Sequence, residues 1–136
     1  MEPKPIQFED WTNFLNNVSV GIHLVDEAGI IRWVNEPELK AMGYTREEYV
    51  NRRIQDFHMD ADIIDHILKT LASGEALNAY PARLRAKDGS TAYVLINSNV
   101  FKNEEGFQHS RCISRFVSSV AYEHARNEFL RSKNDK

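Results

Sequence analysis

Cysteine is nearly absent: Cys112 stands alone among 136 residues. That excludes an intrachain disulfide and a cysteine-based zinc site. A single cysteine inside an apolar run reads as an inert core residue and suits a reducing, cytoplasmic setting. Long apolar runs are missing too. None approaches the roughly 20 residues that span a bilayer, and the first twenty residues are acidic and amphipathic, unlike a signal peptide. Basic charge is not in excess: 17 Lys and Arg face 20 Asp and Glu, a net charge of -3, so no field favours nucleic acid. The sequence has no glycine-rich phosphate loop, no dinucleotide fingerprint and no Gly-x-Ser-x-Gly elbow. No catalytic constellation emerges, and the chain is read as a non-enzyme. Internal repeats and low-complexity stretches are likewise absent.

What is present is a balanced composition, 42% apolar and 27% charged, in a length that suits one domain. After a lead-in with Pro3 and Pro5, the spacing of Phe8, Trp11, Phe14, Leu15 and Val18 predicts a helix over about 8–19. Residues 21–26 and 29–35 alternate at period two around Glu27-Ala28-Gly29, a hairpin. Placing Ile22 and Leu24 on the core side sends His23 to the outer side. Asn35 can cap a short helix to Met42, which Gly43 ends, and Thr45 with Glu48 forms a capping box for another. Ile63, Ile64, Ile67, Leu68 and Leu71 make the clearest helical stripe, over 60–73, with Ile63, Ile67 and Leu71 expected inward. Three strands follow, Leu77–Ala86, Thr91–Phe101 and Phe107–Val117, joined at Lys87-Asp88-Gly89-Ser90 and at Asn103–Gly106. A polar, helix-prone tail runs over about 118–134. Hairpin-paired strands with interposed helices imply an α+β domain with an antiparallel sheet.

Five pieces in this order resemble the PAS family. They are Gly21-Ile22 with Leu24-Val25-Asp26; Gly29-Ile30-Ile31 with Val34-Asn35; Gly43-Tyr44-Thr45 before Glu47-Glu48; Lys87–Ser90; and Arg111-Cys112-Ile113-Ser114-Arg115. The resemblance covers about residues 14–118. It implies a five-stranded antiparallel sheet of order 2-1-5-4-3 with helices over one face, flanked by N- and C-terminal helices, in a single domain over 1–136. It also implies that the last helix is an output element. The family commonly ends its last strand Asp-Ile-Thr. Here Phe116-Val117-Ser118 stands in that place, so the acidic partner is lost while the serine can still cap the helix.

The resemblance raises several cofactors. The light-sensing flavin subclass, called LOV, carries its reactive thiol in a segment that corresponds to Asn51-Arg52-Arg53-Ile54-Gln55, which has none. Its ring-binding amides correspond to Val94 and Ser114. An adduct-forming flavin is therefore not expected. Haem relatives place a histidine on the long helix, but His66 lies about 130° from the centre of the apolar stripe, so haem is not expected either. His58, Asp60, Asp62, Asp65 and His66 crowd potential metal ligands together, yet acidic residues at a helix start answer to its dipole, and no metal is assigned.

The expected function is a cytoplasmic sensory and dimerisation domain of a signal-transduction protein of the two-component type. It would bind a small ligand or cofactor in its pocket and relay to an effector such as a histidine kinase in the parent protein. The expected pocket residues are Leu24, Trp33, Met42, Tyr44, Ile54 and Phe57 before the long helix. Ile63 and Ile67 lie on that helix, and Val94, Ile96 and Ser114 on the last strands. The expected partners are a small molecule, a second copy through the terminal helices or the outer sheet face, and the effector, with no nucleic acid and no membrane span. The alternative is a ligand-free protein-protein interaction module, its cavity filled by Trp33, Tyr44 and Phe57. An enzyme on this sheet would need a buried carboxylate near the cavity, and the sequence alone points to none.

Overall fold

Period-two alternation and period-3.6 stripes become a sheet of five strands and a wall of helices in the computed structural model, which describes residues 2–134. The order is α1 (Trp11–Asn16), β1 (Gly21–Val25), β2 (Ile31–Val34), α2 (Glu36–Met42) and α3 (Arg46–Tyr49). A 3-10 turn (Ile54–Phe57) and α4 (Ala61–Ala72) follow. Then come β3 (Leu77–Arg85), β4 (Thr91–Asn103), β5 (Gly106–Val117) and α5 (Ser119–Asn134). The strands lie in the order β2-β1-β5-β4-β3, every neighbouring pair antiparallel.

The helix read over 8–19 is shorter than its apolar spacing suggests. It begins where the Asp10 carboxylate accepts from the Asn13 N–H and closes at Asn17, so Phe8 and Val18 fall outside it. Local chemistry sets the other termini. Asn35 caps α2 and Gly43 stops it with a left-handed backbone; Thr45 and Glu48 complete the capping box of α3. At α4 no side chain caps the helix start. The Asp60 carboxylate instead binds Arg83 of β3 through two contacts of 2.9 and 2.6 Å, which pins the helix start to the sheet edge.

Register decides which residues meet. His23 pairs with Cys112, Gly21 with Ser114 and Val25 with Ser110 across β1 and β5. Ser98 then faces Cys112, Ile96 faces Ser114 and Val94 faces Phe116 across β4 and β5. Gly21, His23 and Val25 are buried while Ile22 and Leu24 are only half-covered, so the strand phase is the reverse of the expected one. Two observations explain it. The inner face needs a glycine at 21 to admit Glu38. The outer face offers Leu24 an apolar neighbour in its register partner Trp33, itself packed on Trp11 at 5.6 Å. A bulge between Leu77 and Tyr80, with Ala79 in the left-handed region, turns both of those residues inward.

The inner face of α4 is Ile64, Ile67 and Leu71, at i, i+3 and i+7. Each fully buried aliphatic side chain of this kind contributes roughly 1.5–3 kcal/mol. Ile63, expected inward, is only half-buried and faces the groove beside α5. The C-terminal helix is capped by Ser118, whose hydroxyl accepts from the Ala121 N–H at 3.1 Å. It packs on β3 and β4 through Phe129 on Tyr80, 4.9 Å between ring centres, and Tyr122 on Tyr93, 5.0 Å.

Candidate functional site

The inner sheet face, α2, α3 and α4 enclose a polar group that an apolar core would ordinarily exclude. Glu38 on α2 is fully buried. One carboxylate oxygen lies 3.0 Å from His23 Nδ1 and the other accepts from the Tyr49 hydroxyl at 2.7 Å. This is the buried carboxylate that the sequence reading did not find. Gly21 makes it possible, because a Cβ there would sit 2.9 Å from both Glu38 Cβ and Oε1.

The group continues through His23 to Cys112, its register partner on β5. The Cys112 sulfur also meets the Ser98 hydroxyl at 3.0 Å and the Ser110 hydroxyl at 3.3 Å. Burial disfavours a charged His23 ring, but the Glu38 carboxylate and then the Cys112 sulfur outweigh it and hold the His23 pKa well above the ordinary value. Burial likewise pushes the Cys112 thiol up. The charge and hydrogen bond of His23, with the two serines, bring it down overall. Tyr49 is raised well above its usual range, by burial first and then by the Glu38 charge. His58 goes the other way: burial, then the charge on His23, lower it to about 3. A main-chain bridge between His58 and Leu84 of β3 ties the backbone of His58 to the sheet.

Beside this group lies a cavity of about 20 Å³. That is room for one water or another molecule of one or two heavy atoms. Its polar lining includes His58, Ser114, Cys112 and His23, and its apolar lining includes Ile54, Ile64, Ile67, Leu71, Leu84 and Ile96. Two of the polar atoms, His58 Nδ1 and Ser114 Oγ, are buried without a hydrogen-bond partner. A surface cleft of about 410 Å³ between α4 and the Asp26–Gly29 turn shares Val25, Leu68, Leu71 and Ser110 with the cavity wall.

Of the residues the sequence suggests for the pocket, Ile54, Ile67, Ile96 and Ser114 border the cavity. Met42, Phe57 and Val94 lie in the surrounding core without reaching it, and Ile63 and Tyr44 pack on that core's edge. Tyr44 spends its hydroxyl on the Arg85 carbonyl at 2.8 Å. Leu24 and Trp33 are on the other side of the sheet, a consequence of the reversed phase. The aromatic filling of the interior is Tyr49 against Phe57 at 4.4 Å, with Tyr44 beside it and Trp33 not involved. Sequence reasoning missed Glu38, His23, Tyr49, His58 and Cys112. One signal existed for the first: Glu38, Leu39 and Met42 share a helical face, so the carboxylate had to follow the two apolar residues inward.

A flavin does not fit these residues. The cavity is far too small for a three-ring system, and Cys112 is on β5 rather than in the 51–55 segment. Haem does not fit for the same reason of volume, and His66 is exposed, stacked on Tyr80 at 5.9 Å. Among the described residues no three His, Cys, Asp or Glu side chains are grouped to hold a metal ion. Two strand arginines are committed to other groups: Arg83 holds Asp60, and Arg111 holds Asn99 and the Val100 carbonyl.

The sheet order, the helical wall and the enclosed cavity are those of a sensor-domain fold. A PAS domain model matches residues 19–115, and the chain belongs to the PAS family. The PAS domain of an HTR-like protein from Haloarcula marismortui is 25% identical, with a TM-score of 0.68 over 78% of this chain and 88% of that one. A domain of a sensory box sensor histidine kinase/response regulator from Geobacter sulfurreducens is 20% identical, with a TM-score of 0.67 over 77% and 90%. The light-state structure of the blue-light photoreceptor Aureochrome1 LOV is 16% identical, with a TM-score of 0.73 over 89% and 99%. No curated protein matches the chain. Among the described residues no helix is long and apolar enough to cross a membrane.

Proposed function

We propose that this PAS sensor domain takes a small molecule into the cavity beneath α4 and passes the resulting shift in packing to α5, and from there to an effector such as a histidine kinase, in a reducing, cytoplasmic compartment. The observation that carries the reading is the pair of buried, unpartnered polar atoms, His58 Nδ1 and Ser114 Oγ, which border one small cavity with apolar walls. Buried polar groups are nearly always satisfied, so two orphans around one void describe a site built for an occupant. The route outward is short. α4 presents Ile64 and Ile67 to the cavity, and its neighbour Ile63 to the groove that Tyr122, Arg126 and Phe129 of α5 also line. A displaced α4 therefore presses on α5. The catalytic step, if the parent protein has one, belongs to its effector and not to this domain.

Native mass spectrometry of the chain purified from cells tests the proposal. A bound small molecule that is lost in Ser114→Leu supports it. A mass equal to the bare chain in both proteins counts against it.

A second reading, a ligand-free interaction and dimerisation module, draws on a different observation. Ile6, Phe8, Trp11 and Phe14 are all more than half exposed and lie together at the start of the chain. Trp11→Ala with Phe14→Ala should then lower the dimer fraction in analytical ultracentrifugation. A wild-type chain that sediments as a monomer at high concentration removes this reading.

A further inference from the structure

We infer that Cys112 is a built reaction site for hydrogen peroxide: the cavity admits the oxidant, His23 and Glu38 position and relay the proton, and the thiol is converted to a sulfenic acid. The inference does not rest on the ligand and relay reading above, because Cys112 can be oxidised whether or not the domain holds a stable ligand or signals to an effector.

Four structural observations converge. Cys112 borders the cavity together with the orphan atoms of Ser114 and His58. Ser114 is fully buried and His58 is 8% exposed. The space of about 20 Å³ matches a molecule of two heavy atoms and rejects bulkier oxidants. A peroxide with one oxygen against the sulfur can give its other oxygen and its proton to the orphan serine and histidine, which otherwise have nothing to bond. Lastly, Cys112, His23 and Glu38 stand in a row, with Glu38 on His23 Nδ1 at 3.0 Å and Cys112 directly opposite His23 across β1 and β5, both bordering the cavity. This is the order of groups that activates a nucleophile elsewhere: thiol, base, and an acid that orients the base. Tyr49 and Gly21 hold the acid in place.

The step balances as follows. The Cys112 thiolate attacks one peroxide oxygen; an S–O bond forms, the O–O bond breaks, and sulfur gives up two electrons. The departing hydroxide takes the proton of the His23 imidazolium and leaves as water. The products are the sulfenic acid, a neutral His23 and water, and peroxide is the species reduced. The ion pair between His23 and Glu38 is lost in the same event, so oxidation alters the packing of α2 on β1.

The test treats the chain with stoichiometric hydrogen peroxide at neutral pH, traps sulfenic acid with dimedone and reads the adduct by intact mass. With one cysteine in the sequence, the site of labelling is unambiguous. The folded chain should react roughly tenfold or more faster than the same chain in urea at the same pH, because a thiolate replaces a mostly protonated thiol. His23→Gln should bring the folded rate down to the unfolded one, and Glu38→Gln should give an intermediate rate if His23→Gln does not fold. A bulky hydroperoxide should react more slowly with the folded chain than with the unfolded one. A folded wild-type chain that reacts no faster with hydrogen peroxide than the unfolded chain overturns the inference. So does a His23→Gln chain that is folded and reacts at the wild-type rate.

Discussion

Gly21 and Glu38 occupy each other's space: the hydrogen atoms of the glycine stand where any side chain would meet the glutamate Cβ and Oε1 at 2.9 Å. The contact is between a strand and a helix, so neither can give way without moving an element. Gly21→Ala should therefore destabilise the domain by about 1–3 kcal/mol, the usual result of overpacking. Urea unfolding gives the value directly. An alanine variant as stable as wild type would show that Glu38 is free to swing away, and the buried group would lose its anchor.

The pH dependence above neutrality follows from His23. Its folded pKa is raised above the unfolded value of about 6.5. The stabilisation is thus fully present below about pH 6.5 and is lost as pH rises through the folded value. Cys112, whose folded pKa is lowered, acts with the opposite sign and stabilises the fold as pH rises toward its unfolded value. A Cys112→Ser background separates the two. In it, urea midpoints should fall between about pH 7 and 9, and the added substitution His23→Gln should flatten that slope.

In acid the determinant is His58. Its folded pKa of about 3 lies below the unfolded value, so its contribution is complete above about pH 6.5 and disappears as pH falls toward 3. At about 1.4 kcal/mol per pH unit, the loss reaches at most about 5 kcal/mol. Asp60, lowered mainly by its hydrogen bond from Arg83, adds a smaller loss that begins only below about pH 4. Thermal melts between pH 7 and 4 should show the decline, and His58→Gln should remove most of it.

Removing an orphan should help the empty domain. Ser114 is fully buried and its hydroxyl has no partner. Ser114→Ala should raise the stability of ligand-free protein by about 1 kcal/mol, the lower end of the desolvation penalty of an unpaired hydroxyl. The same substitution should weaken any molecule captured in the cavity. A destabilised alanine variant would mean that the hydroxyl is satisfied in solution by an occupant that survives purification.

The terminal helix is tethered mainly by aromatic contacts on β3 and β4. Tyr80 receives Phe129 on one side and His66 on the other. Tyr80→Ala should cost about 3–5 kcal/mol and raise amide exchange along α5 more than along β1. The half-buried Asp60–Arg83 pair at the sheet edge is worth far less. With side chains 25% and 38% exposed, Asp60→Ala should cost about 0.2–1 kcal/mol.

Much of this architecture is legible in the residues themselves. Turn chemistry at Gly29, Gly89 and Gly106, the caps at Asn35 and Thr45, and the isoleucine stripe of α4 lead to the observed elements, while the strand order comes from the resemblance to the PAS family. The buried polar group is much less legible, for one reason. β1 is apolar on both faces at Ile22, Leu24 and Val25, so the periodicity of a five-residue strand does not say which face is inside. The phase is fixed by Gly21 against Glu38 and by Trp11 over Trp33, contacts between elements that no local pattern contains. Once that phase is reversed, His23 moves inward, Leu24 and Trp33 move outward, and the composition of the site changes with them. The length of α1 escapes for a related reason: its apolar residues mark an exposed surface rather than a buried stripe, and such residues do not define helix ends.

Asn35 is fully enclosed and uses both ends of its amide at once. Its Nδ2 donates to the carbonyls of Leu15 and Val20, while its Oδ1 accepts from the N–H groups of Ile22 and Glu38. A single planar group thereby rivets the tail of the leading helix, the strand that bears the histidine and the first turn of the helix that bears the acid. The segment that ends at Leu15 is thus joined to the start of the acid-bearing helix by one amide, so losing that amide should loosen all three elements together.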